Sequence, residues 1–301
     1  MKEFNINTIL IPVDFSDTSF KALDHAILMA KLNKASITLL HVVEGLLPVS
    51  DPDEMFTSDE SAVIYEKQVM SKGKAYMDKL AAKIKAEHAV EASALTAFGK
   101  THKAILETAK HLKADIIIMG THGVSGFREF VIGSNTFRIV SEANCPVLSV
   151  QKHTQKPGFK HILLPFRDKA HSRENVNYAI KMAEIYGAII HVLGIDTDDD
   201  KASFRKISLE ADQIKRLVEE KGVKCQLKVI SGDFVSDLLL KYAGEIKADI
   251  IIAMSDMDRM RVSEYVVGPV IQQIVNHSPI PILSIRPMFN PNTIDLHGYG
   301  W

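Results

Sequence analysis

Short apolar runs alternate along this chain with longer stretches in which apolar residues recur every three or four positions. Residues 8–13 form an apolar run too short for a helix and closed by Asp14, which predicts a strand. Phe20, Leu23, Ile27 and Ala30 then fall at helical spacing, with Asp17 or Thr18 placed to cap that helix. Residues 36–43 read as a second strand, and after a polar loop residues 61–87 read as a long helix. Residues 90–97 alternate as a strand and 101–112 are helical. Residues 115–119 form a buried strand, 134–143 a helix and 147–150 a last strand. Continuous apolar strands alternating with helices predict an α/β fold with a parallel sheet covered on both faces. Right-handed crossovers make that sheet doubly wound.

The pattern occurs twice. Lys113-Ala114-Asp115-Ile116-Ile117-Ile118 returns letter for letter as Lys247-Ala248-Asp249-Ile250-Ile251-Ile252. Ile9-Leu10-Ile11-Pro12 returns as Ile162-Leu163-Leu164-Pro165, and Pro146-Val147-Leu148-Ser149-Val150 as Pro281-Ile282-Leu283-Ser284-Ile285. The dipeptide His41-Val42 is matched with His191-Val192. So long a period is not that of a solenoid, and each copy is expected to be a whole domain. Residues 1–153 form the first and 159–288 the second, separated by a polar segment that ends in Pro157-Gly158. Residues 289–301 are a tail without periodicity, either a loose end or a strap docked by Trp301.

In a doubly wound sheet the ligand sits beyond the C-terminal ends of the strands, where the winding reverses. Four signals converge there in the first copy. Pro12-Val13-Asp14 ends the first strand with a carboxylate suited to ribose hydroxyls or a hydrated cation. Val42 ends the second strand and can offer main-chain groups to the edge of a base. Met119-Gly120-Thr121-His122-Gly123 ends the fourth strand, and after nine residues Gly133-Ser134-Asn135-Thr136 opens a helix. Glycines let the main chain approach an anion, and a helix N-terminus supplies unpaired N–H groups for phosphate oxygens. Each signal alone has an ordinary alternative: a turn aspartate, a glycine turn, a plain helix cap. His122 is open to three readings, a solvated loop residue, a phosphate donor or a catalytic base.

Competing chemistries lack their residues. No Gly-x-Gly-x-x-Gly follows the first strand, and Gly99-Lys100-Thr101 lacks the opening glycine of a P-loop, since Ala94 stands there. It reads instead as a turn into a helix. No nucleophile elbow and no metal-ligand spacing among the 12 histidines is present. The long helix with Tyr65, Val69, Tyr76 and Leu80 reads as core or interface. Lys plus Arg number 36 against 37 for Asp plus Glu, so no field directs the chain to nucleic acid or an anionic membrane. Two cysteines make no disulfide framework, and neither a leader nor a membrane span is legible. A cytoplasmic location is expected.

The pattern Gly-x-x-Gly, nine residues, Gly-Ser resembles the universal stress protein family in its tandem two-domain form, and specifically its ATP-binding subgroup. The likeness covers about residues 5–286. It implies a five-stranded parallel sheet of order 3-2-1-4-5 in each half. It also implies an adenosine site lined by Pro12, Val13 and Asp14, with Val42 against adenine. Met119, Gly120, His122, Gly123, Gly133, Ser134, Asn135 and Thr136 are implied to surround ribose and phosphates. The cofactor so implied is ATP, with or without magnesium. Pairing through the last strands would make the halves an internal pseudo-dimer, and a homodimer and a protein partner are compatible with the likeness.

The second half departs from that pattern. Arg167 stands for Asp14, Met254 for Gly120, and Ser255-Asp256-Met257-Asp258 follow. Gly268 is kept, but Pro269 replaces the serine and removes an amide donor. The second half is therefore expected to bind no nucleotide, leaving Arg167 the option of another anion. Three functional classes arise: a nucleotide-binding stress-response protein, a slow ATP hydrolase or nucleotidyl-transfer enzyme with Arg128 and His122 as candidate groups, and a structural or interaction module with a vestigial site. The intact motif of the first half counts against the third.

Overall fold

The computed structural model describes residues 4–44, 60–121, 134–152, 154, 156–167, 174–198, 200–255, 273–275 and 278–286. The first half runs β1 (Thr8–Pro12), α1 (Asp17–Asn33), β2 (Ser36–Val43), α2 (Glu60–His88), β3 (Ala92–Phe98), α3 (Thr101–Leu112), β4 (Ile116–Gly120), α4 (Ser134–Glu142) and β5 (Val147–Val150). The second runs β6 (His161–Phe166), α5 (Glu174–Tyr186), β7 (Ile189–Asp196), α6 (Lys201–Glu220), β8 (Cys225–Ser231), α7 (Val235–Glu245), β9 (Ile250–Met254) and β10 (Ile282–Ile285). One ten-stranded sheet holds both, in the order β3-β2-β1-β4-β5-β10-β9-β6-β7-β8. Each half therefore has the expected order 3-2-1-4-5. All pairings within a half are parallel, and the halves meet where β10 pairs antiparallel with β5, Leu283 opposite Leu148.

Alternate residues of each strand feed opposite layers. Ile9 and Ile11 of β1 pack with Ala22 of α1 and Met77 of α2, while Leu10 packs on the other face with Ile105 of α3 and Ile139 of α4. The first layer continues across the seam, because Leu148 and Val150 belong to the same buried cluster as Leu283 and Ile285. The buried stripe of α2 is Met77, Ala81 and Ile84, whereas Tyr76 is half exposed and Leu80 only partly buried. Of the two readings of this helix, core or interface, Met77, Ala81 and Ile84 take the core, and the Tyr76 ring lies at the rim. The side chain of Tyr65 lies outside the described residues.

The repeated hexapeptide is a scaffold device. In both copies its opening lysine takes a left-handed conformation, φ 50° at Lys113 and 51° at Lys247, just after the preceding helix. The aspartate then holds the next strand's neighbour. Asp115 Oδ2 accepts the amides of Asn7 and Thr8 at 2.8 and 2.9 Å, and Asp249 Oδ2 accepts those of Lys160 and His161 at 2.7 and 2.8 Å. The carboxylate thus sets the entry of β1 beside β4, and of β6 beside β9.

Strand register corrects one sequence match. Leu10 faces Thr38 and Leu163 faces His191, so His191 is the counterpart of Thr38. The residue of β7 opposite Phe166 is Gly194, and that is where His41 stands in the first half. The two His-Val dipeptides agree in letters, not in place.

Helix α1 is the strut between the halves. Its Lys21 Nζ donates to the carbonyls of Lys152 and Thr154 in the segment after β5. Its His25 is 2% exposed, stacks on Phe159 at 5.5 Å, and has no partner on either ring nitrogen. Phe159 in turn meets Tyr186 of α5 edge-on at 4.9 Å. Burial lowers the His25 pKa from 6.5 to about 4, so folding selects the neutral ring.

Two predictions follow from these buried groups. Stability should be intact above about pH 6.5 and fall as the pH drops toward 4, by about 3 kcal/mol at full effect. His25→Phe, which keeps the stack, should remove that part of the loss in urea titrations at pH 7 and 4.5. Asp115→Ala and Asp249→Ala should each cost on the order of 2 kcal/mol, because each strips two amides of a charged acceptor.

Candidate functional site

β1 lies between β2 and β4, so the ends of these three strands share one crevice. Val13 is the last residue held as strand: its amide donates to Leu40 O at 2.8 Å. The chain then turns. Asp14 Oδ1 accepts the Ser16 amide at 3.0 Å and the Ser16 hydroxyl at 2.6 Å, and Phe15 between them has φ 65°. Ser16 Oγ accepts the amide of Ser19 at 3.2 Å. Ser16 is therefore the N-cap of α1, in place of the Asp17 or Thr18 expected from sequence. Asp14 itself is exposed, with Oδ1 committed to the turn and no hydrogen bond to Oδ2 among the described residues.

Main-chain alternation settles where Val42 points. Leu40 O faces β1, where it takes the Val13 amide, and Val43 O faces β3, where it takes the Gly99 amide at 3.0 Å. Val42, two residues beyond Leu40, turns its peptide groups to the β1 side, past the point at which β1 ends. This is the edge a flat heterocycle with donors and acceptors requires. Pro12 is half buried and Val13 buried beneath it.

Across the crevice, β4 ends at Gly120. A Cβ there would lie 2.9 Å from the carbonyl carbon and the Cβ of Thr18, so the glycine is required for α1 to approach the strand. Met119 is buried. Thr121 is 1% exposed and its amide donates to Val150 O at 3.0 Å. Thr136 Oγ1 lies 3.5 Å from the carbonyls of Gly120 and Thr121, seating the first turn of α4 on the end of β4. Ser134 is exposed and Asn135 half buried on that turn. Asp14, Val42, Gly120 and the start of α4 thus gather at one end of the sheet. His122, Gly123, Gly133 and Arg128 lie outside the described residues.

The Gly99-Lys100-Thr101 segment opens α3 as a turn, as expected. Glu44 Oε1 accepts both the amide and the hydroxyl of Thr101, so a carboxylate of the protein already occupies this helix N-terminus. Burial pushes the two thiols up, Cys145 to about 12 and Cys225 to about 11, which favours the protonated form. Among the described residues no group of three His, Cys, Asp or Glu is arranged to hold a metal ion.

At the corresponding end of the second half, Arg167 follows Phe166 as Asp14 follows Val13. Its Nη2 donates to Thr197 Oγ1 at 2.9 Å, which lays the guanidinium from the end of β6 toward the end of β7. Arg167 is 9% exposed and Met254, at the Gly120 position, is 2% exposed. Asn175 is buried on α5, its Nδ2 3.5 Å from the carbonyls of Pro165 and Ile252. Residues 256–258, Gly268 and Pro269 lie outside the described residues.

Sequence reasoning missed the groups that shape the Asp14 turn from behind, namely Phe15, Ser16 and Gly73, and the part His41 plays there. Gly73 gave a legible signal, since a glycine within a helical pattern asks for a packing reason. Its reason is His41, whose Cδ2 would lie 3.1 Å from a Cβ at that position.

A model of the universal stress protein family matches residues 5–151 and again 158–286. The universal stress protein YxiE of Bacillus subtilis is 30% identical over 154 residues, which is 48% of this chain and 99% of that protein. A universal stress protein of Methanocaldococcus jannaschii is 34% identical over 146 residues, 48% of this chain and 81% of the relative. Both correspond to a single half. A crystal structure of a universal stress protein from Archaeoglobus fulgidus superposes over both halves, with a TM-score of 0.71 and 20% identity, covering 94% of this chain and 97% of the other. That likeness concerns the fold.

Gly120→Ala should displace the first turn of α1 and destabilise the chain by about 1–3 kcal/mol, read from the denaturation midpoint. An unchanged midpoint would show that α1 does not need this approach.

Proposed function

The chain belongs to the universal stress protein family, as two copies in tandem, and from that premise we propose that its first half binds ATP or a related adenine nucleotide. The second half then serves as a nucleotide-free partner. The observation that carries the reading is the crevice at the ends of β1, β2 and β4. There Val42 turns its main chain outward, Asp14 keeps one carboxylate oxygen for ribose or a hydrated magnesium ion, and α4 starts beside Gly120. Those three features match the needs of base, sugar and phosphates respectively. His122, Gly123, Gly133, Ser134, Asn135 and Thr136 complete the phosphate side in this reading.

Magnesium would arrive with the phosphates and neutralise their charge. Asp14 Oδ2 is an oxygen donor of the kind such a hard cation takes, through water or directly. In the second half Arg167 brings a cation where ribose would need an acceptor, and Met254 brings a buried side chain at the Gly120 position, where the first half has none. A charge-assisted hydrogen bond lost at each such point is worth on the order of 1.5–3 kcal/mol.

The same reading makes the protein a cytoplasmic stress-response factor, its halves pairing through β5 and β10 as an internal pseudo-dimer, with residues 1–153 as the binding domain and 159–288 as its partner. No described helix is long and apolar enough to cross a membrane.

Calorimetry on the purified chain should give about one nucleotide site per chain; two equivalent sites would overturn the assignment of the second half. Asp14→Ala should weaken ATP binding about tenfold with the fold intact. Gly133→Asp should abolish binding by placing a carboxylate among the phosphates. Phosphate release over many turnovers, lost in His122→Ala, would replace the binding reading with a slow hydrolase.

A further inference from the structure

We propose that His41 is a positioning residue of the first crevice, a latch that presets the turn bearing Asp14, and that the second half has exchanged this latch for an apolar ring. The binding part of this inference rests on the nucleotide reading above; the conformational part does not.

Val13 is pinned to β2 at both ends. Its amide donates to Leu40 O at 2.8 Å, and its carbonyl accepts from His41 Nδ1 at 2.8 Å. A carbonyl oxygen only accepts, so the imidazole proton sits on Nδ1. The ring is held in place on three sides. Gly73 of α2 leaves room for it, since a Cβ there would come within 3.1 Å of His41 Cδ2. Phe15 lies against it at 4.5 Å, and Tyr76 meets Phe15 edge-on at 5.1 Å. Phe15 occupies a backbone region that side chains rarely adopt, φ 65°. The Asp14–Ser16 bonds on one side and the ring contact with His41 on the other hold it there. The latch therefore fixes Val13, Phe15 and, between them, the Asp14 backbone before any ligand arrives, which is how a weak polar site gains affinity.

The second half is an internal control. Gly194 stands where His41 does, and a Cβ on it would lie 3.0 Å from Phe166 Cε1 and 2.9 Å from Ile207 Cγ2. Phe166, the counterpart of Val13, sends its ring into the place the imidazole takes in the first half. The ring, with Ile207 beside it, fills part of that space, and the N–H donor is lost. The residue that follows is Arg167, turned toward Thr197. One residue pair thus differs in a compensated way between the half with an exposed carboxylate turn and the half without one.

The test imports the second half's packing into the first, as the double variant V13F/H41G in the full chain, with His41→Gln as the variant that keeps an N–H donor. Amide exchange of the nucleotide-free protein should rise about tenfold at Ser16 and at position 13 in V13F/H41G, and stay near the original rate in His41→Gln. AMP and ATP affinities should fall by the same factor, about tenfold, while inorganic tripolyphosphate binding stays unchanged. A folded V13F/H41G with original exchange at Ser16, or with original AMP affinity, would overturn the latch. A general loss of unfolding midpoint in both variants without a local change at Ser16 would also overturn it, leaving His41 as packing alone. If the unaltered chain takes up neither AMP nor ATP, the nucleotide reading fails, and exchange at Ser16 still decides the latch.

Discussion

Where parallel strands of unequal length end side by side, the longer strand is left with main-chain groups that have no neighbour. The front of this molecule is organised by that constraint. β2 runs three residues past Leu40, the last partner of β1, and the peptide groups of Val42 project into the resulting gap. A buried unpaired peptide group is costly, so such a gap must be filled by water, side chain or ligand. Around it the described residues are fixed: Val13 is tied to Leu40 and His41, Asp14 to Ser16, and Thr136 to the end of β4. In the second half Arg167 reaches toward Thr197 across the equivalent place.

The two halves keep the same skeleton and differ at their rims. Asp115 and Asp249 perform one task with one geometry, each accepting two amides of the neighbouring strand. That task is needed by any sheet of this order, whether or not it carries a ligand. The strand ends face no such demand, and there the packing partners and the polar groups change together. Phe166 with Gly194 occupies the space of Val13 with His41, and Asn175 stands on α5 between the carbonyls of Pro165 and Ile252.

The seam joins the copies by their inner edges. Antiparallel pairing of β5 with β10 makes one sheet of ten strands and one apolar layer across Leu148 and Leu283. Both inner edges, which would otherwise offer open ladders, are thereby covered. Ser149 and Ser284 lie buried at this seam with no partner on either hydroxyl, a polar cost the apolar layer on the other face must offset. Helix α1 links crevice and seam: its first turn touches Gly120, and Lys21 and His25 further along hold the connecting segment and Phe159.

Local pattern was enough to locate the strands and helices, because apolar periodicity directly records which face of each element is buried. Residues 101–112 and 147–150 fall where the pattern put them, and the repeat predicted two sheets of order 3-2-1-4-5 through the family likeness. The gathering of Asp14, Val42, Gly120 and the start of α4 was also legible, since all end strands or begin helices on one side. What the letters could not supply is anything set by neighbours distant in sequence. The cap of α1 fell to Ser16 because Asp14 closes a turn onto it, and the rim position of Tyr76 depends on Phe15. The pairing of His41 with Gly194 rather than His191 is decided by register between strands. A side chain's role at a strand end depends on where the adjacent strand stops, and only the folded sheet fixes that.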